Sequence, residues 1–194
     1  SAASDVYKRQ VRGGIIHNYP LVKIGTQYWM RDNLEASSYV GGEALPRLDA
    51  VTANVVGYLQ SATEHYFYTA NVVLSNKILP AHWSIPDWKD WNILKDYLNG
   101  EASLLKSGTW LPLKAGEQVQ SATNLSGFNG IPVGMYVGAF QTDYEKKHLA
   151  YWTLDNANAA IDIKVFYLKS DTDIIEESNA GVDTKAFAIR CIRK

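Results

Sequence analysis

The apolar residues of this 194-residue chain recur at helical spacing over only one clear stretch. Trp91, Leu94 and Leu98 fall on one face at intervals of three and four residues, which predicts a helix over about 88–98. Everywhere else Gly, Pro and Asn divide the chain into short pieces. A fold with few helices and many short strands is therefore expected.

The predicted helix carries its own start and stop signals. Asp87 stands where an N-cap belongs, and Asp90 three residues later resembles a capping box. Pro86 keeps the preceding residue extended. Asn99-Gly100 supplies the stop, because Gly readily takes the left-handed conformation that ends helices.

Strand character dominates the remaining segments. Residues 22–30 predict two short strands around a Gly turn, and residues 150–153 predict another strand. The alternation that begins at 161–168 predicts a half-buried strand, and the clean alternation of 186–193 predicts a closing core strand. Together with the helix, these segments predict an α+β fold.

Two regions lack sustained periodicity and predict long loops. Residues 36–63 are rich in Ser, Gly, Ala and Thr, and we interpret them as a long, partly irregular insertion. Residues 128–140 contain three glycines and a proline, which predicts tight turns between short strands.

Charge and composition exclude several classes of partner. The formal net charge is −1 and no basic run occurs, so no nucleic-acid partner is expected. No run of about 18 apolar residues exists, so no membrane span is expected. The aromatic content is 12%, which favours a recognition face or a loop-rich core.

Motifs for cofactor or metal binding are also missing from the sequence. Cys191 is the only cysteine, which excludes an intramolecular disulfide and a cysteine-rich metal site. The four histidines form no His-x-His or His-x-x-x-His pair. No phosphate-binding glycine loop is present either. We therefore expect neither a metal nor a cofactor.

Residues 1–10 resemble the translation of a transposase-based sequencing adapter, so we expect them to be an artefact. Residues 11–20 are then interpreted as a residual linker, and residues 21–194 as a single domain. The native protein is expected to extend further, with any export signal or lipid anchor outside this sequence.

Five segments, in order and at similar spacing, resemble the Fibrobacter succinogenes major paralogous domain. They are Ile24 to Leu34; Pro80 to Asp87 with Trp91 and Leu94; Asn124 to Phe128 with Ile131 to Gly134; Tyr151-Trp152-Thr153; and Phe187 to Arg193.

This resemblance implies a C-type-lectin-like fold, related in shape to formylglycine-generating enzymes. It also implies an exported or lipid-anchored protein of the cell surface or outer membrane, from bacteria of the Bacteroidetes and Fibrobacter type. Leu79 stands where the family often has a Cys, which the resemblance would pair with Cys191. His82 and Ser84 also depart from the usual family residues.

The prediction for the core rests on large apolar residues beside turns and on the helix face. The expected core residues are Trp29, Trp83, Trp91, Leu94, Phe128, Phe187 and Cys191.

The prediction for a ligand site rests on analogy with the fold, whose late loops usually meet the ligand. The expected ligand-binding residues are Tyr144, His148, Tyr151, Trp152, Asp155 and Asn156, with Trp152 as a stacking platform for a sugar. A calcium site near Asp155 is disfavoured, because a Glu-Pro-Asn motif is missing.

These observations favour a non-catalytic surface module that binds a glycan or a host or protein ligand in adhesion. A structural or assembly module of a pilus or surface lipoprotein is the first alternative. A catalyst related to formylglycine-generating enzymes is the second, although a single Cys at residue 191 fits it poorly. A receptor diversified by a phage or retroelement is a further variant of the binding module.

Overall fold

The computed structural model describes residues 6–12, 15–140, 144–154, 162–181 and 183–194. Its strands form three antiparallel sheets. The five-stranded sheet contains β1 (Val6–Arg12), β2 (Ile15–Ile24), β3 (Gln27–Met30), β12 (Ile192–Arg193) and β6 (Trp83–Ser84), in that spatial order.

The two smaller sheets are built mainly from the middle and end of the chain. The four-stranded sheet has the order β4 (Tyr58–Gln60), β5 (Tyr66–Thr69), β11 (Lys185–Phe187) and β7 (Tyr136–Val137). The three-stranded sheet has the order β10 (Glu176–Gly181), β9 (Asp162–Lys169) and β8 (His148–Trp152).

Two α-helices and one short 3-10 helix complete the described secondary structure. Helix α2 (Trp88–Tyr97) confirms the predicted helix to within one residue. Its capping box is formed, since the Asp87 side chain accepts from the Asp90 backbone and the Asp90 side chain accepts in return. Helix α1 (Ala70–Ser75) was not predicted; it is a single six-residue element. The 3-10 helix is Ala102–Leu104.

The described secondary structure is mostly β-sheet with few helices, which is consistent with an α+β or a mainly β fold. The hairpin β2–β3 turns at Gly25 with φ +59° as expected. Residues 36–63 contain only β4 among the described strands, which agrees with an irregular insertion. The predicted strand at 150–153 corresponds to β8, and the one at 161–168 to β9.

The central strands are buried on both faces, between two hydrophobic clusters. Along β8, Ala150 and Trp152 join the first cluster, whereas Leu149 and Tyr151 join the second. Residues on β9 divide in the same way. The prediction that 161–168 is half-buried is therefore wrong, because neighbours pack against successive residues of this strand from both sides.

The closing strand also differs from its prediction. Residues 186–193 form two strands in two different sheets, β11 and β12, instead of one continuous strand. The intervening chain is buried throughout from Ala188 to Cys191. Its backbone contacts several elements, with Met30 donating to Cys191 at 2.9 Å and Leu34 donating to Ile189 at 2.9 Å.

The segment at 11–20, which we predict to be a residual linker, contains strand structure. Its described residues belong to β1 and β2, which pair in register from Val6↔Leu21 to Arg12↔Ile15. The Arg12 side chain is buried, and its Nη1 donates to the carbonyls of Ser38 at 2.9 Å and Ile78 at 2.6 Å. Regular backbone pairing, which the polar composition did not reveal, orders this segment.

Candidate functional site

A polar cleft of about 300 Å³ opens between the middle of β2, the segment after β3 and the loop that precedes β7. More polar than apolar side chains contribute to it. The lining residues are Asn18, Tyr19, Pro20, Asp32, Asn33, Glu35, His65, Asn129, Ile131, Val133 and Arg190.

The guanidinium group of Arg190 forms the floor of this cleft. Arg190 is only 1% exposed. Its Nη1 donates to the carbonyls of Met30, Arg31 and Phe128, and its Nη2 donates to the Asn129 carbonyl at 3.3 Å. Backbone carbonyls thus accept most of the hydrogen bonds that the cation donates, and its fork of donors connects two separate segments, residues 30–31 and 128–129.

Two aromatic rings enclose the same guanidinium. Its carbon atom lies 4.3 Å from the centroid of Phe128 and 5.3 Å from that of Tyr151. Burial lowers the pKa of Arg190, and the hydrogen bond from Arg190 Nη2 to the Tyr151 hydroxyl, at 2.9 Å, opposes that effect. Burial also raises the pKa of Tyr151 to about 12, so this hydroxyl stays neutral.

Asn33 connects the floor to the open part of the cleft. Its Oδ1 accepts from Arg190 Nη2 at 2.6 Å and from the Tyr151 hydroxyl at 3.1 Å. Its Nδ2 makes no hydrogen bond within the described part of the chain. The Asn33 side chain is therefore oriented by its oxygen, which leaves its two amide hydrogens for a ligand.

The rim of the cleft is acidic and amide-rich. Asn129 Nδ2 donates to Asp32 Oδ1 at 2.8 Å. Glu35 Oε1 lies 3.9 Å from His65 Nδ1. Burial raises the pKa of Glu35, the charge of His65 opposes this, and Asp32 adds to it. The rim therefore presents hydrogen-bond acceptors and donors side by side. The hydrogen bond between Asn33 and the buried Arg190 fixes the Asn33 side chain among them.

The arrangement suits recognition by hydrogen bonds more than coordination of a metal. Among the described residues, no group of three or more His, Cys, Asp or Glu side chains is placed to hold a metal ion. Carboxylates, amides and an imidazole converge beside the apolar Ile131 and Val133. Such a mixture matches a ligand that carries hydroxyl groups on an apolar frame.

A family model, described as the Fibrobacter succinogenes major domain, matches residues 22–193. The chain belongs to this family. The resemblance seen in the sequence is thereby confirmed. Comparison with curated proteins and with solved structures gave no match.

The structure of this Fibrobacter succinogenes major domain corrects two of the predicted ligand residues. Tyr151 and Trp152 are both 0% exposed. Trp152 Nε1 donates to the Tyr68 carbonyl at 2.7 Å, and its ring packs 4.5 Å from that of Phe187. The expectation that Trp152 offers a stacking surface to a sugar is therefore wrong. The two-sided burial of β8, which sequence spacing does not reveal, accounts for the error.

The other predicted ligand residues do not form a site with the cleft. Tyr144 and His148 are half-buried, and their rings pack edge to face at 5.1 Å. Burial, followed by the charge of Lys169, lowers the pKa of His148. Neither residue lines the cleft. Asp155 and Asn156 lie outside the described residues.

The predicted core is largely confirmed in this domain. Fully buried members are Trp29, Trp91, Leu94, Phe128, Phe187 and Cys191. Trp83 is only partly buried, although it packs against the first cluster. Trp91 stacks on Phe166 at 4.0 Å, and its ring lies 4.7 Å from that of Trp29.

Cys191 is held as a thiol. Burial raises its pKa to about 12, although the charges of Arg12 and Arg190 oppose this. Because the thiolate is the reactive form, this residue is a packing group. Leu79, where the family resemblance implied a second Cys, packs in the same hydrophobic cluster as Cys191.

Sequence reasoning missed the main residues of the cleft. Asn33 and Arg190 served as family landmarks, yet neither was predicted to line a site. Their role depends on hydrogen bonds between the Arg190 and Asn33 side chains, which are 157 residues apart in the sequence. A possible signal was an Arg inside an apolar strand pattern, because a buried cation needs a dedicated set of acceptors.

The described residues contain no helix that is long and apolar enough to span a membrane.

Proposed function

We propose that this domain is a non-catalytic surface module that binds a glycan or a host or other protein ligand, and that the polar cleft is its binding site. One observation carries the proposal. Donors and acceptors from distant parts of the chain converge in a cleft of about 300 Å³, above the buried Arg190.

The chemistry of the cleft favours a hydroxyl-bearing ligand such as a sugar. A hydroxyl group both donates and accepts, and the rim offers Glu35 as an acceptor and the Asn33 amide as a donor. Ile131 and Val133 provide apolar surface beside them. Because the floor is already hydrogen-bonded, a ligand would meet side chains held close to their bound positions, which lowers the entropy lost on binding.

Family membership supports the remaining parts of this proposal. We propose a C-type-lectin-like fold within the α+β architecture. We also propose that the domain acts outside the cytoplasm, on an exported or lipid-anchored surface protein. Both proposals rest on what the family resemblance implies.

An assembly role is the second candidate, and one surface favours it. A groove of about 630 Å³ runs beside helix α2, where the apolar Trp88, Ile93 and Leu154 lie among four polar or charged residues, Asp87, Lys89, Asn92 and Asp96. Ile93 is 40% exposed. A protein partner that docks through apolar contacts would use such a surface.

Glycan-array binding with matched variants tests the cleft. Asn18→Ala and Glu35→Gln remove polar groups at its open side, and each is expected to weaken binding roughly 5-fold to 10-fold. The control is Glu101→Gln, an exposed residue outside the cleft. An array without binding at high protein concentration contradicts the glycan proposal. Equal losses in the control and the cleft variants contradict the assignment of the site.

A further inference from the structure

We propose that a row of alternating cationic and aromatic side chains on the five-stranded sheet is a second binding site, for an acidic polysaccharide. The row consists of Lys23 on β2, Tyr28 on β3, Arg193 on β12 and Trp83 on β6. None of the four residues lines the cleft, so this site is independent of the one proposed above.

Strand register places the four side chains in one line. Lys23 pairs with Tyr28, Tyr28 pairs with Arg193, and Arg193 pairs with Trp83. Residues directly opposite in antiparallel strands point to the same face of the sheet. The Lys23 ammonium lies 5.6 Å from the Tyr28 ring centroid, in agreement with this placement.

The row is accessible, and its charges are not neutralised. Lys23 and Arg193 are exposed, Tyr28 is 38% exposed, and Trp83 is half-buried. Neither cation lies within 4 Å of a carboxylate among the described residues, although the neighbouring Lys194 contacts Asp90 at 2.7 Å. The sheet face therefore carries two cations available to an anionic ligand.

The alternation of the row defines the ligand class. Aromatic rings pack against the apolar faces of sugar rings, and cations pair with carboxylate or sulfate groups. Three strand spacings make the row about 14 Å long, which suits an extended chain of sugars with repeated negative charges. Nucleic acid is a poorer match, because its affinity depends on many phosphate contacts and the net charge here is −1.

Affinity measurements on the intact chain test this site. The probe is polygalacturonate, compared with its methyl-esterified form, in which the carboxylates are capped. The variant is Lys23→Gln with Arg193→Gln. Its matched control is Lys114→Gln with Arg47→Gln, which removes the same two charges from exposed positions outside the row. Thermal unfolding of both variants checks that the fold persists.

We expect polygalacturonate binding to weaken roughly 10-fold in the row variant and less than about 2-fold in the control. We also expect wild-type affinity to fall with salt, and esterified polymer to bind weakly. Tyr28→Ala should reduce binding without any change of charge. This variant also tests the row if the double variant fails to fold.

Equal losses in the row variant and its control would overturn the proposal, as would absence of polygalacturonate binding or equal binding of the esterified polymer. Tighter binding of a single-stranded oligonucleotide, lost in the row variant, would assign the row to nucleic acid instead. Glu35→Gln separates the two sites, because it is expected to leave polygalacturonate affinity unchanged.

Discussion

At the scale of single residues, Arg190 is the group on which the cleft depends. Its guanidinium joins the segment after β3, the loop at Phe128-Asn129 and the ring of Tyr151. A buried cation that makes this many hydrogen bonds is costly to replace, because each lost donor leaves a buried acceptor without a partner.

Arg190→Lys is expected to lower the free energy of unfolding by about 2–4 kcal/mol, although charge is retained. Lysine has three donors on a single nitrogen and cannot reach acceptors on both sides of a planar fork. Chemical denaturation measures the loss, with the exposed Arg47→Lys as the control. A loss of similar, small size in both variants would show that the fork geometry is unimportant.

Cys191 predicts a specific dependence of stability on alkaline pH. Its pKa rises from 9.0 to about 12 in the folded protein because the thiol is buried. The unfolded chain therefore loses this proton first, and the stability from the thiol is present below pH 9.0 and is lost as pH rises towards about 12.

Between these two pKa values, Cys191 should reduce the free energy of unfolding by about 1.4 kcal/mol per pH unit. Cys191→Ala is expected to show a shallower decline over that range when unfolding is measured by denaturant at several pH values. Buried tyrosines titrate in both proteins, so the difference between the curves isolates the thiol. Parallel curves would mean that Cys191 ionises normally in the fold.

At the scale of elements, helix α2 has the clearest local sequence signals. Its capping box and its apolar face agree with each other, and Trp91 and Leu94 are fully buried. Burial raises the pKa of Asp87, but the hydrogen bond from the Asp90 backbone and the charge of Lys194 outweigh this and lower it.

Asp87→Ala is expected to destabilise the protein by about 1 kcal/mol, since the Asp90 backbone N–H loses its acceptor. Asp87→Ser should retain most of the stability because a hydroxyl can also cap. The control is Asp96→Ala, an exposed carboxylate near the C-terminal end of the same helix. Thermal and denaturant unfolding give the ranking, and equal stability of the Ala and Ser variants at residue 87 would contradict it.

Short strands behave differently from this helix. The alternation in 186–193 correctly indicated strand character, but it predicted one strand where the chain crosses between two sheets. The alternation of apolar and polar residues indicates only that successive side chains point to opposite faces of a strand. It does not report which neighbours supply the hydrogen bonds or whether both faces are covered.

At the scale of the whole molecule, two hydrophobic clusters lie on opposite sides of the same strands. Neighbouring residues therefore belong to different clusters, as Phe67 and Tyr68 do on β5. Among the described side chains, the clusters begin at Tyr19. Strand β1 thus adds a backbone-paired edge to the sheet.

Deletion of residues 1–10 tests the interpretation of that segment as an adapter artefact. Arg12 and its hydrogen bonds to Ser38 and Ile78 remain, and both clusters are retained. We expect a cooperative fold whose free energy of unfolding is lower by no more than about 2 kcal/mol. Circular dichroism and denaturant unfolding measure this. A deleted chain that fails to fold would show that β1 belongs to the native domain.

The sequence by itself determined the elements whose signals are local. Helix α2, its capping box and the turn at Gly25 depend on residues a few positions apart, so they were predictable. The order of five weak motifs was sufficient to indicate the family. Large apolar residues such as Trp29 and Phe128 were predictable core members because burying them is favourable in almost any packing.

Only the tertiary structure decided the location of the cleft. Trp152 is a residue type that can stack on a sugar, but packing in the core buries it completely. Arg190 was not predicted to line a site, yet its buried guanidinium is the floor of the cleft. Acceptors from Met30, Asn33 and Phe128 make that burial favourable. These partners are far apart in sequence, and long-range hydrogen bonding leaves no local periodicity to read.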